Sequence, residues 1–351
     1  MKPSYHMRYN RLLHKFSAKA LFQLVLGFAQ KLGNPFEEKR RGRKPKLKPY
    51  EYAAYIAYMI LIKGMPYRGM EFESDLYVDK HIDHSTLVVN FEKMPAEYFL
   101  DLVEEVGARL DMLLEYSDQY VVDSTAVTTP LTFITEIKGK QVREKIEYKS
   151  HAIVSLHEGE QSVVVRKALA TSKRIADCEG AKRMLEDGNI SGITLHGDKG
   201  YDYERVYKVC YEHGIRPNIR PQDYPSNSGY RVQGLTDYDD GARKQKRGRV
   251  EVVFGGITNA GLMTTRLRKE AKILSYSAII LLRQNILTLA RVLAGYFELI
   301  TKLGNIPFLI HRCSLCTARK GDGDALICPT LNTDKRNAGK RKTEKGTKRN
   351  N

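Results

Sequence analysis

The sequence predicts a mixed β-sheet with helices packed on it, preceded by a helical region. Apolar residues follow a helical period up to about residue 116 and switch to short strand-like runs from Tyr120 onward. The later elements read in the order three strands, helix, strand, helix, strand, long helix, which argues for an α/β core rather than a barrel or sandwich. With 351 residues and 42% hydrophobic content, the chain can build two compact domains or one core with a helical arm.

Lys19 to Leu32 carries a helical apolar pattern that stops near Gly33, Asn34 and Pro35. The basic run Lys39 to Lys48, KRRGRKPKLK, follows, and Arg40, Arg41, Arg43, Lys44 and Lys46 are candidate phosphate contacts. Tyr50 to Lys63 reads as a helix, Gly64 to Pro66 as a turn, and Tyr67 to Ser74 as a second short helix. This spacing is helix-turn-helix-like, although helical hairpins also occur in proteins that never touch DNA. Tyr52, Tyr55 and Ile56 at helical spacing are core candidates rather than base-stacking residues. Ala96 to Tyr116 is a further helix, with Phe99, Leu100, Val103, Val106, Leu110 and Leu113 on one buried face.

Tyr120, Val121 and Val122 begin the first strand, which runs into Asp123, Ser124 and Thr125. Lys149 to Leu156 and Ser162 to Ala170 continue a meander, the first two strands being joined by a long basic link around Lys138, Gly139 and Lys140. Ile175 to Asp187 is a helix stopped by Gly188 and Asn189. A fourth strand, Ile193 to Leu195, runs into HGDKGYD, then come a helix from Tyr203 to His213 and a strand around Arg216 to Arg220. Gln222 to Asp240 reads as polar loop, Lys244 to about Thr265 as a long helix, and Tyr276 to Leu299 as another.

The formal charge of +17 favours a polyanionic partner, nucleic acid or anionic lipid. A membrane span is disfavoured: Tyr52 to Ile62 is too short, and Ala278 to Ile300 is broken by Arg283, Gln284, Asn285 and Arg291. The first residues lack the apolar core and cleavage site of a secretory signal. Five scattered cysteines do not resemble a disulfide framework, so a cytoplasmic setting is expected. His311, Cys313, Cys316 and Cys328 form only a weak zinc pattern, and free thiols are expected there. Leu331 to Asn351, with eight Lys or Arg against Asp334 and Glu344, is expected to be disordered.

An isolated Asp at a strand end commonly begins a turn. Asp198, however, repeats the setting of Asp123: an apolar strand runs into it, and glycines flank Asp198 and Lys199. Ligands gather at strand ends in open α/β sheets, and two adjacent carboxylates repel unless a divalent cation joins them. In KRGRVEVVFGG, Val250, Val253, Phe254 and Ile257 form a buried face, while Arg247, Glu251 and Thr258 share another. Arg247 and Glu251 could be a surface ion pair, or Glu251 could point over the sheet edge to the two aspartates. Asp202 reads as a helix cap.

DST after one strand, DKGYD after another and RxxxE before VFG resemble the catalytic domain of DDE transposases of insertion sequences, more narrowly the group with a Tyr-Arg-Glu-Lys signature. YKSHAIV (148 to 154), GIRPNI (214 to 219) and DHSTL (83 to 87) are similar to further motifs of that group, so the likeness spans about residues 40 to 295. The resemblance implies an RNase H-like sheet, two Mg²⁺ or Mn²⁺ ions, and cutting and joining of double-stranded DNA at the element's terminal inverted repeats. It implies that Asp123, Asp198 and Glu251 are catalytic metal ligands and that Arg247 contacts DNA. Lys244 stands where the signature tyrosine belongs, and Thr258 where its lysine belongs. The expected organisation is a helical DNA-binding region at 1–117 with its basic arm at 39–48, the catalytic domain at 118–300, an extension at 301–330 and the tail at 331–351. A homodimer in the DNA complex is expected from the same likeness. A related nuclease that does not transpose and a non-catalytic DNA-binding descendant are the competing readings.

Overall fold

The computed structural model describes residues 16–38, 44–137, 140–157, 162–172, 174–225 and 229–302. Side chains at 131, 133–146 and 297–302 are outside that description, as are Arg40, Arg41 and Arg43 of the basic arm, the cluster His311, Cys313, Cys316 and Cys328, and the tail. The described residues up to Gly295 form one compact unit, and the chain divides at Tyr296.

Among the described residues, five α-helices precede the sheet: α1 (Ala18–Leu32), α2 (Pro49–Tyr58), α3 (Tyr67–Val78), α4 (His84–Phe91) and α5 (Ala96–Asp111). Ser17 caps α1 by accepting from the Ala20 N–H at 3.1 Å. Helix α2 widens into a π-turn over Met59–Lys63 that ends on Gly64, whose φ of 59° suits a residue without Cβ. The expected core role of Tyr52, Tyr55 and Ile56 holds, since all three are buried. Helix α4 was not anticipated; Asp83 starts it by accepting from the Ser85 N–H at 2.7 Å. On α5 the buried stripe takes Leu102 in place of Leu100, because a straight 3.6-residue period carries Phe99 and Val103 past it.

The sheet has the order β3-β2-β1-β4-β5, with β1 (Gln119–Ile137), β2 (Lys140–His157), β3 (Ser162–Ser172), β4 (Thr194–Gly197) and β5 (Arg216–Ile219). The first three strands are antiparallel; β4 and β5 run parallel to β1. This mixed five-stranded arrangement is compatible with an RNase H-like fold. The long link expected between the first two strands is largely strand, since pairing of β1 with β2 continues to Ile137↔Lys140 beyond a register shift between Thr128 and Thr132; Lys138 and Gly139 lie outside the described residues. Pro130 sits in that shift, where a missing N–H costs the ladder least.

Helices α6 (Asp177–Leu185) and α7 (Glu204–Glu212) cover one face, burying Tyr120, Val122 and Ile153 against Met184, Leu195 and Tyr207. The opposite face takes α11 (Glu270–Lys302), whose Ser277 carbonyl accepts from Ser150 Oγ at 2.8 Å. Asn285 accepts from the Val165 N–H at 2.8 Å and donates to the carbonyls of Val165 and Val103 at 2.8 and 3.0 Å. One amide thus satisfies both backbone groups of Val165 in β3 and ties that residue to α5. By length and composition the stretch Glu270–Tyr296 could cross a membrane, but 83% of its most apolar window is buried inside the protein.

Two expectations fail between β5 and α11. The loop read from Gln222 to Asp240 contains α8 (Gly229–Thr236), anchored by Arg231, which is buried against Asp202. The long helix read from Lys244 breaks into α9 (Asp240–Arg247), a 3₁₀ turn (Gly248–Val250) and α10 (Glu251–Asn259). Gly248 sits at that break. The anticipated buried face of Val250, Val253, Phe254 and Ile257 is nevertheless present.

Candidate active site

The parallel register of β1 and β4 pairs Val121 with His196. Two residues on, at the same sheet edge, Asp123 and Asp198 occupy equivalent places on neighbouring strands, which lie about 4.8 Å apart. Gly197 sits in close packing between them: a Cβ there would meet Ile219 at 3.3 Å, Val122 at 3.4 Å and Tyr201 at 3.5 Å. Each aspartate is oriented by its own turn. Asp123 Oδ1 accepts from the Ser124 N–H at 2.9 Å, and Asp198 Oδ1 from the Lys199 N–H at 2.8 Å.

The β1–β4 ladder stops at Val121, and the edge of β1 is next engaged at Thr128, which pairs with Thr264. Into this interval come Arg247, at the end of α9, and Glu251, at the start of α10. The Arg247 Nη2 atom lies 3.5 Å from Asp123 Oδ2 and 3.7 Å from Asp198 Oδ2, and its Nη1 lies 3.6 Å from Glu251 Oε1. One guanidinium therefore joins three carboxylates from three separate elements. The pairs are loose compared with Arg231, which grips Asp202 at 2.7 and 2.8 Å, and the buried Arg247 Nε makes no hydrogen bond.

Exposure rises through the triad: the side chain of Asp123 is 20% exposed, Asp198 38% and Glu251 72%. Burial raises the Asp123 pKa, opposed by the Ser124 N–H and Arg247 and reinforced by the charges of Asp198 and Asp177. Such a carboxylate is destabilised as an anion until positive charge is added beside it.

A second group of polar residues underlies Asp123. Asp177, at the start of α6, accepts from Ser124 Oγ at 2.7 Å and from Lys149 Nζ at 2.9 Å. Burial raises its pKa, but those two bonds together with the charges of Lys149 and His151 bring it below the ordinary carboxylate value. The His151 ring is fully buried, 3.9 Å from Asp177, and burial lowers its pKa to about 4. In the sequence Lys149 and His151 stand out only as part of YKSHAIV, and Asp177 gives no signal of its own, because an acid opening a helix reads equally well as a favourable helix-end charge.

Asp202 is not the helix cap its position suggests. It is fully buried, accepts from Arg231 Nε and Nη2, from Tyr207 Oη and from the Gln222 N–H, and so belongs to the packing of α8 on the sheet. Lys244 pairs with Asp240 at 2.6 Å, and Thr258 donates to the Phe254 carbonyl of its own helix at 2.9 Å. In the basic arm, Lys44 is exposed, whereas Lys46 donates to the His81 carbonyl at 2.6 Å. Elsewhere, ligand atoms of Glu71, Asp83 and His84 lie within 4.8 Å of one another. Capping by Asp83 and a 2.8 Å bond between His84 and Glu71 account for that group.

Residues 117–286 match the family model for the transposase DDE domain. Over these residues the chain is a transposase DDE domain, which supports a DDE transposase of the insertion-sequence type. The match runs from just before β1 into α11, so the DDE domain contains all five strands, Arg247 and Glu251. No curated protein matches the chain. Transposition-related DNA cleavage is the activity that a DDE domain suggests.

Proposed function

We propose that the protein is a transposase that binds the terminal inverted repeats of its own element and carries out metal-dependent DNA strand cleavage and strand transfer. The observation that carries this reading is the convergence of Asp123, Asp198 and Glu251 on a single cation, the Arg247 guanidinium. The donor set is all oxygen, as Mg²⁺ and Mn²⁺ prefer, and a positive charge already occupies its centre. Asp123, Asp198 and Glu251 would hold two such ions, which when bound activate a water or a 3′-hydroxyl and stabilise the leaving oxygen.

The chain's own groups complete the arrangement. The Ser124 and Lys199 N–H groups fix one oxygen of each aspartate and leave the other facing Arg247. Arg247 neutralises the cluster and contacts a DNA phosphate when released from it. The N-terminal helices with their basic arm, including Arg40, Arg41, Arg43, Lys44 and Lys46, supply further phosphate contacts, in keeping with the net charge of +17. The protein works in the cytoplasm on the nucleoid, as a dimer holding two DNA ends.

The direct test is cleavage of DNA bearing the element ends in Mg²⁺, comparing the intact protein with Asp198→Ala. The reading requires loss of cleavage in the variant; equal activity would remove the catalytic assignment. A product joined through a 3′-hydroxyl separates a transposase from a nuclease. One observation favours a second reading, a DNA-binding descendant that no longer cuts: Lys244 and Thr258 replace the signature residues and are engaged within the protein. DNA binding without cleavage in either metal would support it.

A further inference from the structure

Ser124 stands between two carboxylates. Its backbone N–H donates to Asp123 Oδ1 at 2.9 Å, and its hydroxyl donates to Asp177 Oδ1 at 2.7 Å. Successive strand residues face opposite sides of a sheet, so Asp177 holds β1 from the face behind Asp123. This happens where β1 has lost the support of β4, between Val121 and Thr128. Asp177 is itself fixed by Lys149 Nζ, which also donates to the Ile175 carbonyl at 3.2 Å and so ties the entry of α6 to β2.

Two further side chains close on the same spot. The His151 Nδ1 atom is buried 3.9 Å from Asp177 Oδ1 without a hydrogen-bond partner, and the Tyr201 hydroxyl is buried beside Ser124. Both residues interact electrostatically with Asp177, and Tyr201 with Asp123 as well. The crowding is tight: a Cβ on Gly180 would lie 2.7 Å from His151 Nδ1. An isolated surface salt bridge needs no such surroundings. Four polar side chains packed around one carboxylate, behind a strand end that must present another, make a support for that end.

We propose that Asp177 is a positioning residue for the metal site: through Ser124 it fixes Asp123 so that Oδ1 is spent on the Ser124 N–H and Oδ2 is presented to the cation. Lys149 holds Asp177 in place. The proposal rests on the metal-site reading above and adds to it a residue outside the acidic triad. Groups that orient metal ligands through hydrogen bonds commonly change metal affinity by about 10- to 100-fold when removed.

The test uses the full-length chain without DNA and follows free Mn²⁺ by its electron paramagnetic resonance signal during titration. Asp177→Asn and Ser124→Ala are each expected to weaken Mn²⁺ binding by about 10-fold or more, with the double variant no weaker than the weaker single. DNA binding in the absence of metal is expected to stay at the level of the unaltered protein, which a merely structural loss would not allow. Should Asp177→Asn fail to fold, Ser124→Ala carries the test, because it removes one hydroxyl and leaves the charge pair with Lys149. Affinities within about twofold of the unaltered protein, or losses that add in the double variant, would overturn the proposal. Asp198→Asn serves as the control: if it binds Mn²⁺ like the unaltered protein, the metal-site reading itself is wrong, and the fault does not lie with Asp177.

Discussion

Replacing Arg247 with Gln should tighten divalent-metal binding while impairing DNA cleavage. The guanidinium is shared among Asp123, Asp198 and Glu251 at 3.5 to 3.7 Å, so an ion entering the cluster must displace it or accept its repulsion. Loose, partly exposed ion pairs are worth at most about 1 kcal/mol each. Only the Asp123 pair is well sheltered, so the three together oppose metal binding by roughly 1–2 kcal/mol. At 1.4 kcal/mol per factor of ten, Arg247→Gln should bind Mn²⁺ about 5- to 30-fold more tightly. Isothermal titration calorimetry of the DNA-free protein measures this directly. Unchanged or weaker Mn²⁺ affinity would refute the idea that the arginine and the ions compete for the same carboxylates.

Other consequences can be checked by equilibrium unfolding. Arg231→Met leaves Asp202 fully buried without its cation, and urea denaturation should show a loss of about 3–5 kcal/mol. Gly107→Ala puts a methyl 2.5 Å from the Val165 carbonyl, where α5 meets the sheet edge, and should cost roughly 1–3 kcal/mol; a neutral result would mean that this contact is not so close. His151 and His196 are buried neutral, each with its pKa lowered by burial to about 4. The unfolded chain takes up these protons near pH 6.5 and the folded one only near pH 4, so stability should be full above about 6.5 and fall as the pH drops through that window. The slope should reach on the order of 1.4 kcal/mol per pH unit for each histidine, and a flat profile from pH 7 to 5 would contradict it. DNA affinity should fall steeply between low and physiological salt, as expected when several phosphates are neutralised.

The local parts of this molecule were legible in the sequence. Tyr120 to Val122 and the run before Asp198 announce strands because their apolar residues have nowhere else to go, and the stripe on α5 shows its buried face through its period. The likeness of DST, DKGYD and RxxxE named the right domain. What escaped detection depends on partners distant in the chain. Asp202 looks like a cap until Arg231, 29 residues away, is seen beside it. The α8 helix looks like loop because its stability comes from that buried pair and not from its own apolar pattern. The break at Gly248 was hidden by a continuous helical period on either side. Asp177 reads as a favourable helix-end charge, and only the pairing of β1 with β2 brings Ser124 and Lys149 to it.

The most direct measurement is the anomalous diffraction of a crystal of the protein grown with Mn²⁺. Two manganese peaks among the carboxylates of Asp123, Asp198 and Glu251, with Arg247 turned away from them, are what the metal-dependent reading predicts. Manganese found elsewhere on the chain, with the guanidinium still joined to all three acids, would contradict it.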